Sequence, residues 1–188
     1  VRIARNFLAL ARQQPPERSQ VGLNGLVEDS VELLAYELRN DNVQMVLSLA
    51  DDLPILWADS HQLQQVLVNM VTNAHHAVRQ RPADGRMISI TTRSDSAHQR
   101  VHIEIADTGA GIAAEIRGRI FEPFYTTKPV GEGTGLGLSL CRGIIETHGG
   151  AITVESNPER GTTFAITLPV TARPSSVDTP SAPETPVP

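Results

Sequence analysis

The sequence has a single cysteine, Cys141, in 188 residues, which excludes an internal disulfide framework. It is poor in aromatic residues, 4% against 40% hydrophobic overall, so a core has to be built mostly from aliphatic side chains. No apolar run approaches the roughly 20 residues that a membrane span requires, and the start carries no signal-peptide pattern. Clustered positive charge is missing as well. Lys and Arg number 16 against 21 Asp and Glu, the net charge is -5, and no basic patch is interleaved with aromatics. This excludes a nucleic-acid binder that works by bulk charge. The length and apolar content that remain suit one domain with appendages.

The appendages lie at the two ends. Ile3, Phe7 and Leu10 stand at i, i+4 and i+7, and Pro15-Pro16 stops the pattern, so the first residues read as the end of a helix belonging to something larger. Beyond about residue 170, Pro, Ser, Thr and Ala dominate and apolar spacing vanishes, as in a disordered tail or linker. Between them the periodicity predicts a helix over Gly25 to Asn40, capped by Asn24, with Val27, Val31, Leu34 and Leu38 on one stripe. Val43 to Leu49 reads as a strand and Leu53 to Trp57 as a short extended piece. A long helix follows from Ser60 to Gln80, with Asp59 or Ser60 as its cap. Met87 to Thr92 and Arg100 to Ala106 alternate like paired strands. A short helix is expected from Ala113 to Ile120 and another from Thr134 to Thr147, then a hairpin of Ala151 to Glu155 with Thr162 to Leu168. These elements predict an α/β two-layer sandwich, with a mixed, largely antiparallel sheet covered on one face by helices.

Four stretches carry candidate chemistry. Asp107-Thr108-Gly109-Ala110-Gly111-Ile112 ends a strand in a carboxylate and turns on two glycines. It is either a surface turn or a place where a flat polar ligand edge, such as an adenine with its exocyclic amine, meets a carboxylate. On the long helix, Asn69, Asn73 and His76 share one face, with Gln62 and Gln65 one turn earlier. Asn is a poor helix-interior residue, so this stripe is either a solvated face or the lining of a site whose amide oxygens could hold a hard cation such as Mg²⁺. Phe121-Glu122-Pro123-Phe124 reads as a compact apolar knot that packs both rings in the core. Thr126, Thr127 and Lys128 follow it, and Lys128 offers charge to a phosphate. Pro129 to Gly133 reads as a short glycine-rich lid. Gly133-Thr134-Gly135-Leu136-Gly137-Leu138 then opens a helix with backbone N–H groups available to an anion. No Gly-Lys-Ser/Thr follows, so this is not a Walker A loop. Cys141 falls among Leu138, Leu140, Ile144 and Ile145 and reads as a small core residue. His98 and His102 read as exposed.

In this order, Gln65 to Ala74, Asp107 to Ile112, Phe121 to Lys128 and Gly131 to Leu138 resemble the N, G1, F and G2 boxes of the catalytic ATP-binding domain of sensor histidine kinases. The fold implied is the Bergerat-type ATP-binding sandwich, shared with gyrases, mismatch-repair ATPases and certain chaperones. The resemblance covers about residues 20–170. It makes 1–19 the tail of the second dimerisation and phosphotransfer helix with its linker, and leaves 171–188 as the tail. It implies that Asp107 accepts the adenine amine while Gly109, Gly111 and Ile112 let the base approach. Asn73 and Asn69 would hold Mg²⁺ and, with Lys128, act on the transferred phosphoryl. Phe124 would anchor the lid hinge, with Thr127 beside the nucleotide. Gly133, Thr134, Gly135, Leu136, Gly137 and Leu138 would cradle phosphates. His76 stands where many family members carry Lys. The implied cofactors are ATP and Mg²⁺. The implied partners are the dimerisation hairpin of the parent kinase and a response regulator receiver domain. No contact with nucleic acid or with a membrane is implied, and the expected location is cytoplasmic. None of the six histidines, His61, His75, His76, His98, His102 and His148, has the setting of a phosphoacceptor. Two other functions share the fold. One is an ATPase clamp, against which Gln65 counts because it stands where a catalytic Glu would be expected. The other is a non-catalytic nucleotide-binding module.

Overall fold

The structure is a computed structural model, and it describes residues 17–128, 133–158 and 160–170. The expected helix end over residues 1–13, the lid over 129–132 and the tail over 171–188 lie outside the described residues.

A five-stranded sheet runs in the order β2-β4-β5-β7-β6. Its strands are β2 (Gln44–Ser48), β4 (Met87–Asp95), β5 (Arg100–Asp107), β6 (Ala151–Asn157) and β7 (Gly161–Pro169). Among the described strands of this sheet, β2–β4 pair in parallel and the other three pairings are antiparallel, with β4–β5 and β6–β7 the two hairpins that the patterns predict. Two short strands, β1 (Ser19–Val21) and β3 (Leu56–Ala58), pair separately and antiparallel.

Register follows from the alternation of apolar residues. Ile90, Ile105, Phe164 and Val154 form one rung across four strands, and Thr92, Ile103, Ile166 and Ile152 form the next. A slip by one residue would turn all of these side chains to the other face, so the burial of one face fixes the pairing. That face is covered by α3 (Ser60–Val78) and α5 (Gly137–Thr147), through Leu63, Val66, Leu67, Met70, Val71, Ala74 and Val78 on the first and Cys141, Ile144 and Ile145 on the second. The largest fully buried side chains are Leu, Ile, Met and Val without exception, so the core is aliphatic as the composition requires. Each contributes on the order of 1.5–3 kcal/mol by leaving water.

Three local expectations are corrected. The helix over Gly25 to Asn40 is broken into α1 (Leu23–Glu32) and α2 (Ala35–Asn40). The Leu34 N–H bonds to the Val31 carbonyl, three residues back, so the backbone tightens there and leaves Leu33 on the surface at 66% exposure. Asn24 is not the cap but lies inside α1. Its amide donates to the Ala50 carbonyl at 2.8 Å and accepts from the Thr92 hydroxyl at 2.9 Å, tying α1 to β4. The helix expected over Ala113 to Ile120 is reduced to α4 (Ala114–Arg117).

Candidate functional site

The site is built on α3. Asp59 caps this helix, accepting from the Gln62 N–H at 3.0 Å and satisfying one of its orphan donors. The apolar stripe of α3 is pressed on the sheet, which leaves Asn69, Thr72, Asn73 and His76 on a neighbouring face. These four form one wall of a cavity of about 270 Å³. Gly111 and Ile112 after β5, Ile116 and Ile120 around α4, and the segment Tyr125 to Lys128 supply further walls. Gly133, Thr134 and Gly135, with Gly137 and Leu138 at the start of α5, close it. The described lining includes Lys128 and His76 but no Asp or Glu, which favours an anionic occupant.

Twelve of the sequence-predicted site residues therefore meet at one cavity: Asn69, Asn73, His76, Gly111, Ile112, Thr127, Lys128, Gly133, Thr134, Gly135, Gly137 and Leu138. Four others do not line it. Asp107 is 7% exposed at the end of β5, where its carboxylate accepts the Gly109 N–H at 2.8 Å. Burial pushes its pKa up to about 6, against the lowering effect of the backbone bonds from Gly109 and Thr162. Gly109 packs against α3, and a Cβ there would stand 2.6 Å from that of Ala77. Leu136 is buried at the N-cap of α5. Phe124 is 68% exposed with φ of 66°, so the knot puts only Phe121 on the core, edge-on to Phe164. The left-handed turn at Phe124 lies against the backbone of Gly135, itself at φ of 65°, where any Cβ would overlap the Phe124 carbonyl. Gly135 is required by this backbone contact.

Thr72, Ile116, Ile120 and Tyr125, and Thr126, which the sequence named without a role, also line the cavity. Thr72 was detectable, since it stands three residues after Asn69 and so on the same helix face. Tyr125 was not, because its position depends on the turn at Phe124. The Arg119 guanidinium lies 4.6 Å from the centre of its ring and holds it from outside.

The donor set fits Mg²⁺ of a particular kind. Among the described residues no group of three or more His, Cys, Asp and Glu could cage a metal. The Asn69 and Asn73 amide oxygens are neutral, hard ligands suited to an ion that keeps waters and arrives with phosphates. The Cys141 thiol donates to the Val66 carbonyl at 3.9 Å, and burial pushes its pKa up to about 12. Cys141 is fully buried, in keeping with its reading as a core residue.

Known proteins resemble this chain in sequence and fold. The sequence profile of the "Histidine kinase-, DNA gyrase B-, and HSP90-like ATPase" family matches residues 58–172. Sporulation kinase E of Bacillus subtilis (strain 168) is 40% identical over 169 residues, which are 89% of this chain and 22% of that kinase. Among solved structures, the catalytic domain of histidine kinase ThkA is similar with a TM-score of 0.72 and 34% identity, over 82% of this chain and 96% of that one. Full-length ShkA in complex with AMPPNP is similar with a TM-score of 0.79 and 27% identity, over 93% of this chain and 37% of that one. ThkA is also known in complex with the response regulator protein TrrA. The chain spans only 22% to 35% of the length of curated relatives such as sporulation kinase E and the sensor histidine kinase ZraS of Escherichia coli (strain K12).

Proposed function

We propose that this chain, which belongs to the family of histidine kinase-, DNA gyrase B- and HSP90-like ATPases and is the catalytic ATP-binding domain of a sensor histidine kinase, binds Mg-ATP in the cavity between α3 and α5 and delivers its γ-phosphoryl to a histidine outside this chain. The observation that carries the reading is a cavity with amide, hydroxyl and cationic side chains, no described acid in its lining, and a buried carboxylate nearby.

The residues divide the work by chemistry. Asp107 is the acceptor for the adenine amine, and burial makes that bond selective, because an analogue without the donor leaves a desolvated carboxylate unpaired. Gly109 and Gly111 keep the backbone low beside it. Asn69 and Asn73 would hold Mg²⁺, which when bound neutralises phosphate charge. Lys128 and His76 line the cavity and would meet the phosphates there, as would the N–H groups at the start of α5. In the transfer, the acceptor ring nitrogen forms a bond to the γ-phosphorus as the bond to the bridging oxygen breaks, and ADP leaves with that electron pair. Rate would come from positioning and charge neutralisation, with little covalent work for the protein.

The acceptor belongs to the dimerisation hairpin of the parent kinase, and the phosphoryl then passes to an aspartate of a response regulator. By similarity, the complex of ShkA with AMPPNP supports nucleotide binding, and that of ThkA with TrrA supports the relay to a response regulator. Two of this chain's histidines are poor candidates for an acceptor. His148 is buried, and the buried His75 is bonded to Asp41 at 2.7 Å. No described helix is long and apolar enough to cross a membrane, and the domain would work in the cytoplasm.

Titration calorimetry of Mg-ATP against this chain and its Asp107→Asn variant tests the reading. The expected result is saturable binding by the first and binding weaker by about 100-fold or more in the second. Equal affinities would remove Asp107 from the site, and no binding by the unmodified chain would overturn the function.

A further inference from the structure

The two helices that line the cavity touch at three levels. A Cβ on Gly137 would lie 3.6 Å from the Asn69 oxygen, the Cys141 sulfur is 3.9 Å from the Val66 carbonyl, and His148 meets Asp59. Each step down α3 is matched by a similar step up α5, so the helices run antiparallel. The Asn69–Gly137 contact is at the cavity. The Asp59–His148 contact is ten residues away on α3, about 15 Å along the helix axis.

That distal contact is an ordered polar junction of two buried residues, His148 and Asp59, exposed only 6% and 7%. The Asp59 N–H donates to His148 Nε2 at 3.1 Å, while His148 Nδ1 lies 2.8 Å from the Ile144 carbonyl. With Nε2 accepting, the proton sits on Nδ1, so the imidazole is neutral and held at both nitrogens. The Asp59 carboxylate caps α3 through Oδ1 and accepts the Glu17 N–H through Oδ2 at 3.1 Å. The Arg18 guanidinium donates to the Thr147 carbonyl at 2.8 Å, at the end of α5. The segment before β1, the start of α3 and the end of α5 are therefore joined at one point.

We propose that His148 is a positioning residue in a latch, made with Asp59, that couples the segment at Glu17–Arg18 to the nucleotide cavity at the other end of the α3–α5 pair. With the latch closed, the two helices are fixed at both ends and Asn69 faces the start of α5. With it open, the pair keeps only the Asn69–Gly137 and Val66–Cys141 levels and can splay at its far end. Coupling of this kind is reciprocal: whatever the closed latch adds to nucleotide affinity, nucleotide returns to the latch. The latch rests on the nucleotide-site reading above and adds to it a route by which the preceding segment acts on the site.

The test uses Mg-AMPPNP as probe, with amide hydrogen exchange at Glu17 and Asp59 and calorimetric affinity, on the unmodified chain, His148→Ala and His148→Gln. In the unmodified chain, saturating AMPPNP is expected to slow exchange at both amides by about fivefold or more. In His148→Ala these amides exchange faster without ligand, no longer respond to it, and affinity falls by a matching factor. His148→Gln keeps an acceptor for the Asp59 N–H and recovers most of the response, which a loss of packing alone would not allow. AMPPNP binding with no change at Glu17 and Asp59, or a His148→Ala variant that responds like the unmodified chain, overturns the latch and leaves the site reading intact. Absence of AMPPNP binding by the unmodified chain overturns the site reading and the coupling with it.

Discussion

Single residues set the pH response and the tolerance of the backbone. Asp107 has a folded-state pKa of about 6 against an ordinary 3.8, raised mainly by burial. A group raised on folding lends stability that is fully present below its unfolded pKa and is lost as pH rises through the folded one. The ligand-free protein should therefore lose on the order of 3 kcal/mol between about pH 4 and pH 6.5 from this group. Urea titrations across that range should show the loss in the unmodified chain and a flatter profile in Asp107→Asn. Nucleotide affinity should run the other way and weaken as pH falls below about 6, because the adenine amine needs the ionised carboxylate. Gly161 gives a second prediction at this scale. It sits at φ of 98°, and a Cβ there would overlap the Asp107 carbonyl oxygen. Gly161→Ala should cost about 2 kcal/mol or more in chemical denaturation and displace Asp107 with it.

At the scale of elements, α3 has a double role, with one face in the core and the next in the cavity. Met70 is fully buried between the two cavity asparagines in sequence. Met70→Ala should destabilise the fold by about 2–5 kcal/mol, and nucleotide affinity should fall with it, since a shifted helix misplaces Asn69 and Asn73. A denaturation midpoint and a calorimetric titration on the same variant check both. This double role also explains what could be read from sequence. Two side-chain periods, of two on β4, β5 and β7 and of 3.6 on α3 and α5, were each tied to a buried face, so those elements and the asparagine stripe were legible. The break between α1 and α2 was not, because Leu33 continues the apolar run yet points to solvent. The three-residue strand β1 carries too few positions for alternation to register. Phe124 misled for a related reason: an aromatic beside a proline reads as core, and only its left-handed backbone against Gly135 turns it outward.

In the whole molecule, α3, the start of α5 and the segments after β5 and around α4 meet at one cavity, so a ligand there ties together elements that are far apart in the chain and stabilises the entire domain. At 100 times its dissociation constant, Mg-ATP should add about 2.7 kcal/mol to unfolding, visible as a rise in the thermal midpoint that Asp107→Asn lacks. The affinity should also fall with added salt, because the attraction between the phosphates and Lys128 is screened over about 8–10 Å. One more consequence comes from Cys141, the sole thiol, wholly buried between α5 and α3 with its pKa pushed up to about 12. A thiolate is the reactive species, so alkylating reagents meet an inert protein until α5 lifts from α3. The chain thus carries a native label site that is silent when closed, and the speed at which it is modified counts how often the two cavity helices part.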